Sequence, residues 1–228
     1  MPKGAERLAV DTADGETLVG VYIPAAQKDD SRTLILGFGG NAWNGQDVAE
    51  YLHDLYPHHD VVAFHYRGYR PSTGRPSAEA LIADAPLVFD AAVKKAKPRR
   101  TIAVGFSIGT GIAATLAGER KLAGLILVTP FDSLKAVAQS AFPWLPIGPF
   151  FQHEIDAAAA LAQQDTPTAI IAAERDELIP PERTEALRPH VRNLVFHRSI
   201  ERAGHNDIYH RSAFQQAMRE AVDRIVKR

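Results

Sequence analysis

The chain predicts an α/β fold: a mostly parallel sheet of about eight strands, helices on both faces, and an antiparallel hairpin at the N-terminal end. Three observations carry that prediction. Short apolar runs alternate with helical patterns of about ten to fifteen residues, the rhythm of β–α–β units. The later runs are continuously apolar rather than alternating, as strands buried on both faces must be. The first two runs flank Asp14-Gly15, a tight-turn dipeptide that makes them an antiparallel pair.

The elements follow in order. LAV (8–10) and TLVGVYI (17–23) form the hairpin, and TLILGFGG (33–40) is the next strand. A helical pattern covers 41–56, with Val48, Tyr51, Leu52 and Leu55 on one side. VVAFHYRGY (61–69) is a strand running into a loop. Ser77 caps a helix over 77–96, which Pro86 should kink or divide. TIAVGF (101–106) is followed by a helix of small residues, then come strands at 124–130, 167–176 and 194–200. An amphipathic helix closes the chain from Asn206 onward. Residues 131–165 stand between two strands and carry the apolar cluster Phe142, Trp144, Leu145, Phe150 and Phe151. They are expected to form a short lid over the carboxyl edge of the sheet.

Length and composition narrow the classes. A chain of 228 residues suits a single α/β domain spanning 1–228, with the lid as an insertion at 131–165. The 26 basic and 27 acidic residues nearly cancel, which gives no electrostatic reason to expect nucleic acid or an anionic membrane as partner. Cysteine is absent, so disulfides, a thiol nucleophile and thiolate metal sites are excluded. The N-terminal stretch lacks an apolar core of signal-peptide length, and no run approaches the roughly 18 apolar residues of a membrane span. The expectation is a cytoplasmic protein.

Gly105-Phe106-Ser107-Ile108-Gly109 is the chemically telling stretch. It places a serine between glycines where a strand must turn sharply into a helix. That is the G-x-S-x-G nucleophile elbow: the turn lifts the hydroxyl clear of the sheet, and glycines spare a crowded corner. The helix N-terminus behind it favours developing negative charge. A serine hydroxyl is a poor nucleophile at neutral pH and needs a base, which in turn needs an orienting group. In folds with this elbow the chain order is serine, then acid, then histidine, and Asp176 and His205 follow Ser107 in that order, each at the carboxyl end of a strand, where open α/β sheets place their sites.

With these residues the chain resembles the α/β-hydrolase superfamily over nearly its whole length. The superfamily's D-x-x-I-P turn carries the acid and its G-H dipeptide the base, which implies Asp176 and His205 as partners of Ser107. Relatives often read H-G-N-A after the third strand; this chain reads Gly39-Gly40-Asn41-Ala42. The resemblance implies backbone N–H groups of Asn41 and Ile108 as oxyanion donors, with Gly39 replacing the family histidine. His65 to Ser77 is similar to a segment of a small esterase and depalmitoylase-like branch, with Arg70 in place of a glycine.

The function implied is a serine hydrolase cleaving carboxylic esters, or thioesters by the same chemistry, without metal or cofactor. Its partner would be a small-molecule ester. Phe142, Trp144, Leu145 and Phe150 would line an acyl pocket suited to short and medium chains, or else pack onto the core or dock a second copy of the chain. The same triad would serve a peptidase or an acyltransferase. A binding protein that kept the fold without the chemistry is the remaining alternative, supported by Gly39 alone. Asp132 ends another strand and is the rival acid; opening a helical pattern, it reads as a helix cap. Arg67 reads as a structural tie between loops, while Arg70 and Arg75 stand near the expected mouth. His53, His58 and His59 lack ligand spacing, and the glycines at 37–40 lack the dinucleotide pattern.

Overall fold

The computed structural model describes residues 2, 4–27, 32–142, 144, 151 and 153–227. The strands are β1 (Glu6–Asp11), β2 (Thr17–Ile23), β3 (Thr33–Phe38), β4 (Asp60–Phe64), β5 (Arg100–Phe106), β6 (Gly124–Val128), β7 (Thr168–Ala173) and β8 (Leu194–Ile200). The helices are α1 (Gly45–Leu55), α2 (Ala78–Ala96), α3 (Ile108–Glu119), α4 (Leu134–Ala141), α5 (Ala157–Ala162), α6 (Pro181–Leu187) and α7 (Ser212–Val226).

One eight-stranded sheet runs in the order β1-β2-β4-β3-β5-β6-β7-β8. β2 is antiparallel to both β1 and β4, and every later pairing is parallel. Gly15 turns the hairpin at φ 86°, a conformation that favours glycine. The continuous apolar runs have the predicted cause. β3, β6 and β7 are buried at every position, and side chains along each strand alternate between two cores. Ile102, Val104 and Phe106 of β5 pack with α1 and α7 on one face. Leu34, Leu36 and Phe38 of β3 pack with α2, α3 and α5 on the other.

Three local expectations are refined. α2 runs unbroken through Pro86. Buried residues on both sides of the proline, Leu81 and Ala85 before it and Val88 and Ala92 after it, press the whole helix onto the sheet. That packing offsets a cost of about 3 kcal/mol. The last helix begins at Ser212 rather than Asn206. Asp207 spends its carboxylate on the Gly204 amide and on Arg211, a local alternative to helix. The segment 131–165 is not a uniform lid. Phe131, Ile155, Ala157 and Leu161 are fully buried, and Ile155 sits over Gly111 of α3, where a Cβ would come within 2.3 Å of it. Of the described part, only α4 buries no residue. No helix among the described residues is long and apolar enough to cross a membrane.

The strand order creates the crevice. From β3 the chain adds β4 on one side and then β5 on the other. The loops leaving β3 and β5 therefore diverge, and an open α/β sheet binds its ligands at such a switch point.

Candidate active site

Ser107 links β5 directly to α3 at φ 50° and ψ −118°. Its N–H donates to the Val128 carbonyl at 3.0 Å, tying the turn to β6. Thr110 braces the turn from inside α3, where its hydroxyl donates to the Ser107 carbonyl at 2.6 Å. Both flanking glycines are steric necessities. A Cβ on Gly105 would lie 2.5 Å from the Gly109 carbonyl oxygen, and one on Gly109 would lie 2.2 Å from that of Phe38. Ile108 opens α3, where the first amides of a helix have no carbonyl a turn earlier to bond.

The loop after β3 reaches the same place. Gly40 packs with its Cα hydrogens toward Ser107; a Cβ there would stand 3.5 Å from the serine Cβ. At Gly39 a Cβ would come within 2.9 Å of Val48 and 3.1 Å of the Trp43 carbonyl, so glycine suits this version of the loop. Two tyrosines hold it. Tyr66 donates its hydroxyl to the Gly39 carbonyl at 2.8 Å, and Tyr69 donates to Asn41 Oδ1 at 2.7 Å. Burial pushes the Tyr66 phenol well above its usual range, so it remains a donor. Neither tyrosine was singled out from sequence. The available signal was their place in the segment that resembles the esterase branch.

Asp176 and His205 leave β7 and β8. The Asp176 carboxylate meets His205 Nδ1 at 2.9 and 2.8 Å. Their side chains are only 2% and 7% exposed, so water competes little for this pair. Asp176 Oδ1 also accepts the amides of Leu178 at 3.0 Å and Ile179 at 2.7 Å, which fixes the carboxylate before the histidine meets it. With Nδ1 facing an acceptor, the ring presents Nε2 elsewhere. Among the described residues no hydrogen bond joins the Ser107 hydroxyl to the His205 ring, but both line one cavity.

That cavity measures about 440 Å³. Gly40, Asn41 and Ala42 line it together with Ser107, His205, Asn206 and His210. Trp43, Tyr51 and Tyr209 make an aromatic wall, with Leu178 beside it. Trp43 lies 5.4 Å from Tyr51 and 5.2 Å from Tyr209 between ring centroids, and Tyr51 donates its hydroxyl to the Tyr209 carbonyl at 3.0 Å. Desolvation raises the Tyr209 phenol to about 12, so it too stays neutral. Among the described residues that line it, none is an aspartate, glutamate, lysine or arginine.

Other expected site residues stand apart. Phe142 and Trp144 pack edge-on at 6.0 Å, are 50% and 75% exposed, and do not line the cavity. Leu145 and Phe150 lie outside the described residues. Arg70 and Arg75 do not line the cavity either. Asp132 pairs with Arg183 at 3.2 Å, and Ser133, not Asp132, caps α4 by accepting the Ala136 amide. Among the described residues, no group of three or more histidine or acidic side chains is arranged to hold a metal.

The fold and the elbow define a class that comparison with known proteins bears out. The family model for the alpha/beta hydrolase fold matches residues 34–153, and the chain belongs to this family. The uncharacterized Mycobacterium tuberculosis protein Rv2307c is 31% identical over 212 residues, covering 91% of this chain and 74% of that protein. Lysophosphatidylserine lipase ABHD12 of Macaca fascicularis is 30% identical over 173 residues, covering 66% of this chain and 43% of that one. Among solved structures, the Pyrococcus furiosus esterase Pf2001 superposes with a TM-score of 0.72 at 19% identity, over 96% of this chain and 92% of that one.

Proposed function

We propose that the protein is a serine hydrolase that cleaves carboxylic esters, and thioesters by the same route, through an acyl-enzyme. The observation that supports this most directly is the buried Asp176–His205 pair beside the cavity that Ser107 also lines. Ser107 Oγ attacks the acyl carbon while His205 Nε2 takes its proton. Asp176 holds the imidazole tautomer and stabilises the imidazolium. The amides of Asn41 and Ile108 receive the oxyanion. His205 returns the proton to the departing alcohol or thiol, and water, activated by the same ring, then releases the acid. These steps use only side chains, backbone amides and water.

The aromatic wall, and a lining in which no described residue is a lysine, arginine, aspartate or glutamate, favour a neutral, apolar acyl group. The names of two relatives, an esterase and a lysophosphatidylserine lipase, accord with ester hydrolysis. A fluorophosphonate reagent should label Ser107 and abolish hydrolysis of p-nitrophenyl esters in parallel. Labelling that persists in Ser107→Ala protein would refute the proposal.

A further inference from the structure

The loop after β7 carries acids at Glu174, Asp176 and Glu177, and each grips a different atom of the loop after β8. Glu174 Oε2 accepts the Arg202 amide at 2.6 Å. Asp176 takes the His205 ring. Glu177 Oε2 accepts the His205 main-chain amide at 3.1 Å. The backbones are joined as well, with the Arg175 amide donating to the Ala203 carbonyl at 2.8 Å. Gly204 makes the Glu177 contact possible, because a Cβ there would fall 2.8 Å from Glu177 Oε2. His205 is thus held at two points by two nearby carboxylates, one on the ring and one on the main chain.

A ring tethered at Nδ1 alone still swings about that bond, and Nε2 swings with it. A second anchor at the amide fixes the Cα and so the arc Nε2 can sweep. We propose that Glu177 is a positioning residue: its carboxylate fixes the His205 main chain so that Nε2 is directed at Ser107. The inference rests on the reading of Ser107, His205 and Asp176 as a triad. A bond to a carboxylate is stronger than a neutral one. The Glu177 side chain is exposed, however, so water partly replaces it when it is removed. Misplacement by about 1 Å costs on the order of 10²-fold in turnover; with that replacement, the expected loss is about tenfold.

The test uses the whole protein and p-nitrophenyl butyrate. Glu177→Ala should lower kcat about tenfold and leave KM within about twofold, since positioning acts on the chemical step. Glu177→Gln retains an acceptor oxygen and should recover most of the loss. Glu174→Ala removes an equivalent clip from a residue that does not touch the base, and should stay within about twofold of wild type. Hydrogen exchange at the His205 amide should quicken about tenfold in Glu177→Ala and not in Glu174→Ala. If Glu177→Ala fails to fold, Gly204→Ala displaces the same carboxylate and should reproduce its effects. Wild-type kcat in Glu177→Ala, an equal loss in Glu174→Ala, or unchanged exchange at His205 would each overturn the inference. Hydrolysis that survives Ser107→Ala would sink the triad reading instead, and exchange, which needs no turnover, would still decide whether Glu177 holds His205.

Discussion

At Ser107 the backbone stands where a serine rests only at a cost on the order of 1–3 kcal/mol. The surrounding contacts hold it there: the Val128 carbonyl, the Thr110 hydroxyl, and the close approach of β3 over Gly109. Gly109→Ala should therefore destabilise the fold by about 1–3 kcal/mol or more, because the obstacle is backbone and cannot rotate away. Thermal denaturation would show this as a lowered Tm, and an unchanged Tm would contradict the geometry. The proposed acid is equally specific. Asp176→Asn should lower kcat roughly 10⁴-fold, as loss of the orienting carboxylate does in a triad. Asp132→Asn disturbs only the contact with Arg183 and should retain near-normal turnover. Steady-state kinetics on both variants decide between the two carboxylates. Ser107, Gly109, Asp176 and Asp132 were legible in the sequence, because glycine spacing and chain order depend on local geometry; the bracing by Thr110 and Val128 was not. Tyr66 and Tyr69 were not. Their effect is to hold Gly39 and Asn41 across more than twenty residues of chain, a pairing that no local pattern encodes.

At the scale of elements, the wall beside the serine comes from the loop before α1, from α1 itself and from the turn before α7. Trp43, Tyr51 and Tyr209 meet there, although the sequence directed attention to 131–165. The difference has a physical cause. A cluster of aromatic residues in one stretch is conspicuous, whereas a wall that joins Trp43 and Tyr51 to the distant Tyr209 has no signature in the chain. Each methylene buried against this wall contributes roughly 0.8 kcal/mol, or about fourfold in kcat/KM, until the cavity is full. Trp43→Ala should flatten the dependence of kcat/KM on acyl chain length, and Trp144→Ala should leave it unchanged. A series of p-nitrophenyl esters from acetate to decanoate measures this. The opposite pattern would return the pocket to the lid.

For the whole molecule, several ionisable groups tie stability to pH. Burial lowers the pKa of His65, whose Nδ1 accepts the Gly45 amide at 3.3 Å, and also that of His197. The unfolded chain takes up these protons near the ordinary value of 6.5, before the folded chain does. Stability is therefore complete above about pH 6.5 and declines as pH falls from there through the folded values. Urea denaturation between pH 8 and 5 should show that decline, less steeply in His65→Gln. A second loss follows in stronger acid. Arg67 is buried between Asp84, at 2.6 Å, and Asp14. The guanidinium holds the Asp14 carboxyl down to about 2. The part of stability linked to Asp14 is present above its unfolded value of 3.8 and disappears as pH falls toward 2. Asp14→Asn should remove that segment of the acid transition.

By itself the sequence determined the α/β class, the hairpin, the buried strands, and Ser107, Asp176 and His205 as the residues to examine. Each depends on periodicity, on turn chemistry or on the order in which strand ends must appear, and all of these are written along the chain. Tertiary structure decided what surrounds them. It opened the crevice by sending β4 and β5 to opposite sides of β3. It kept α2 whole through Pro86 by pressing both its halves onto the sheet. It drew α5 into the core and built the cavity wall from two stretches more than 150 residues apart. These outcomes depend on which distant residues pack together, and packing is settled by the three-dimensional fit of the whole sheet and its helices rather than by any neighbour in sequence.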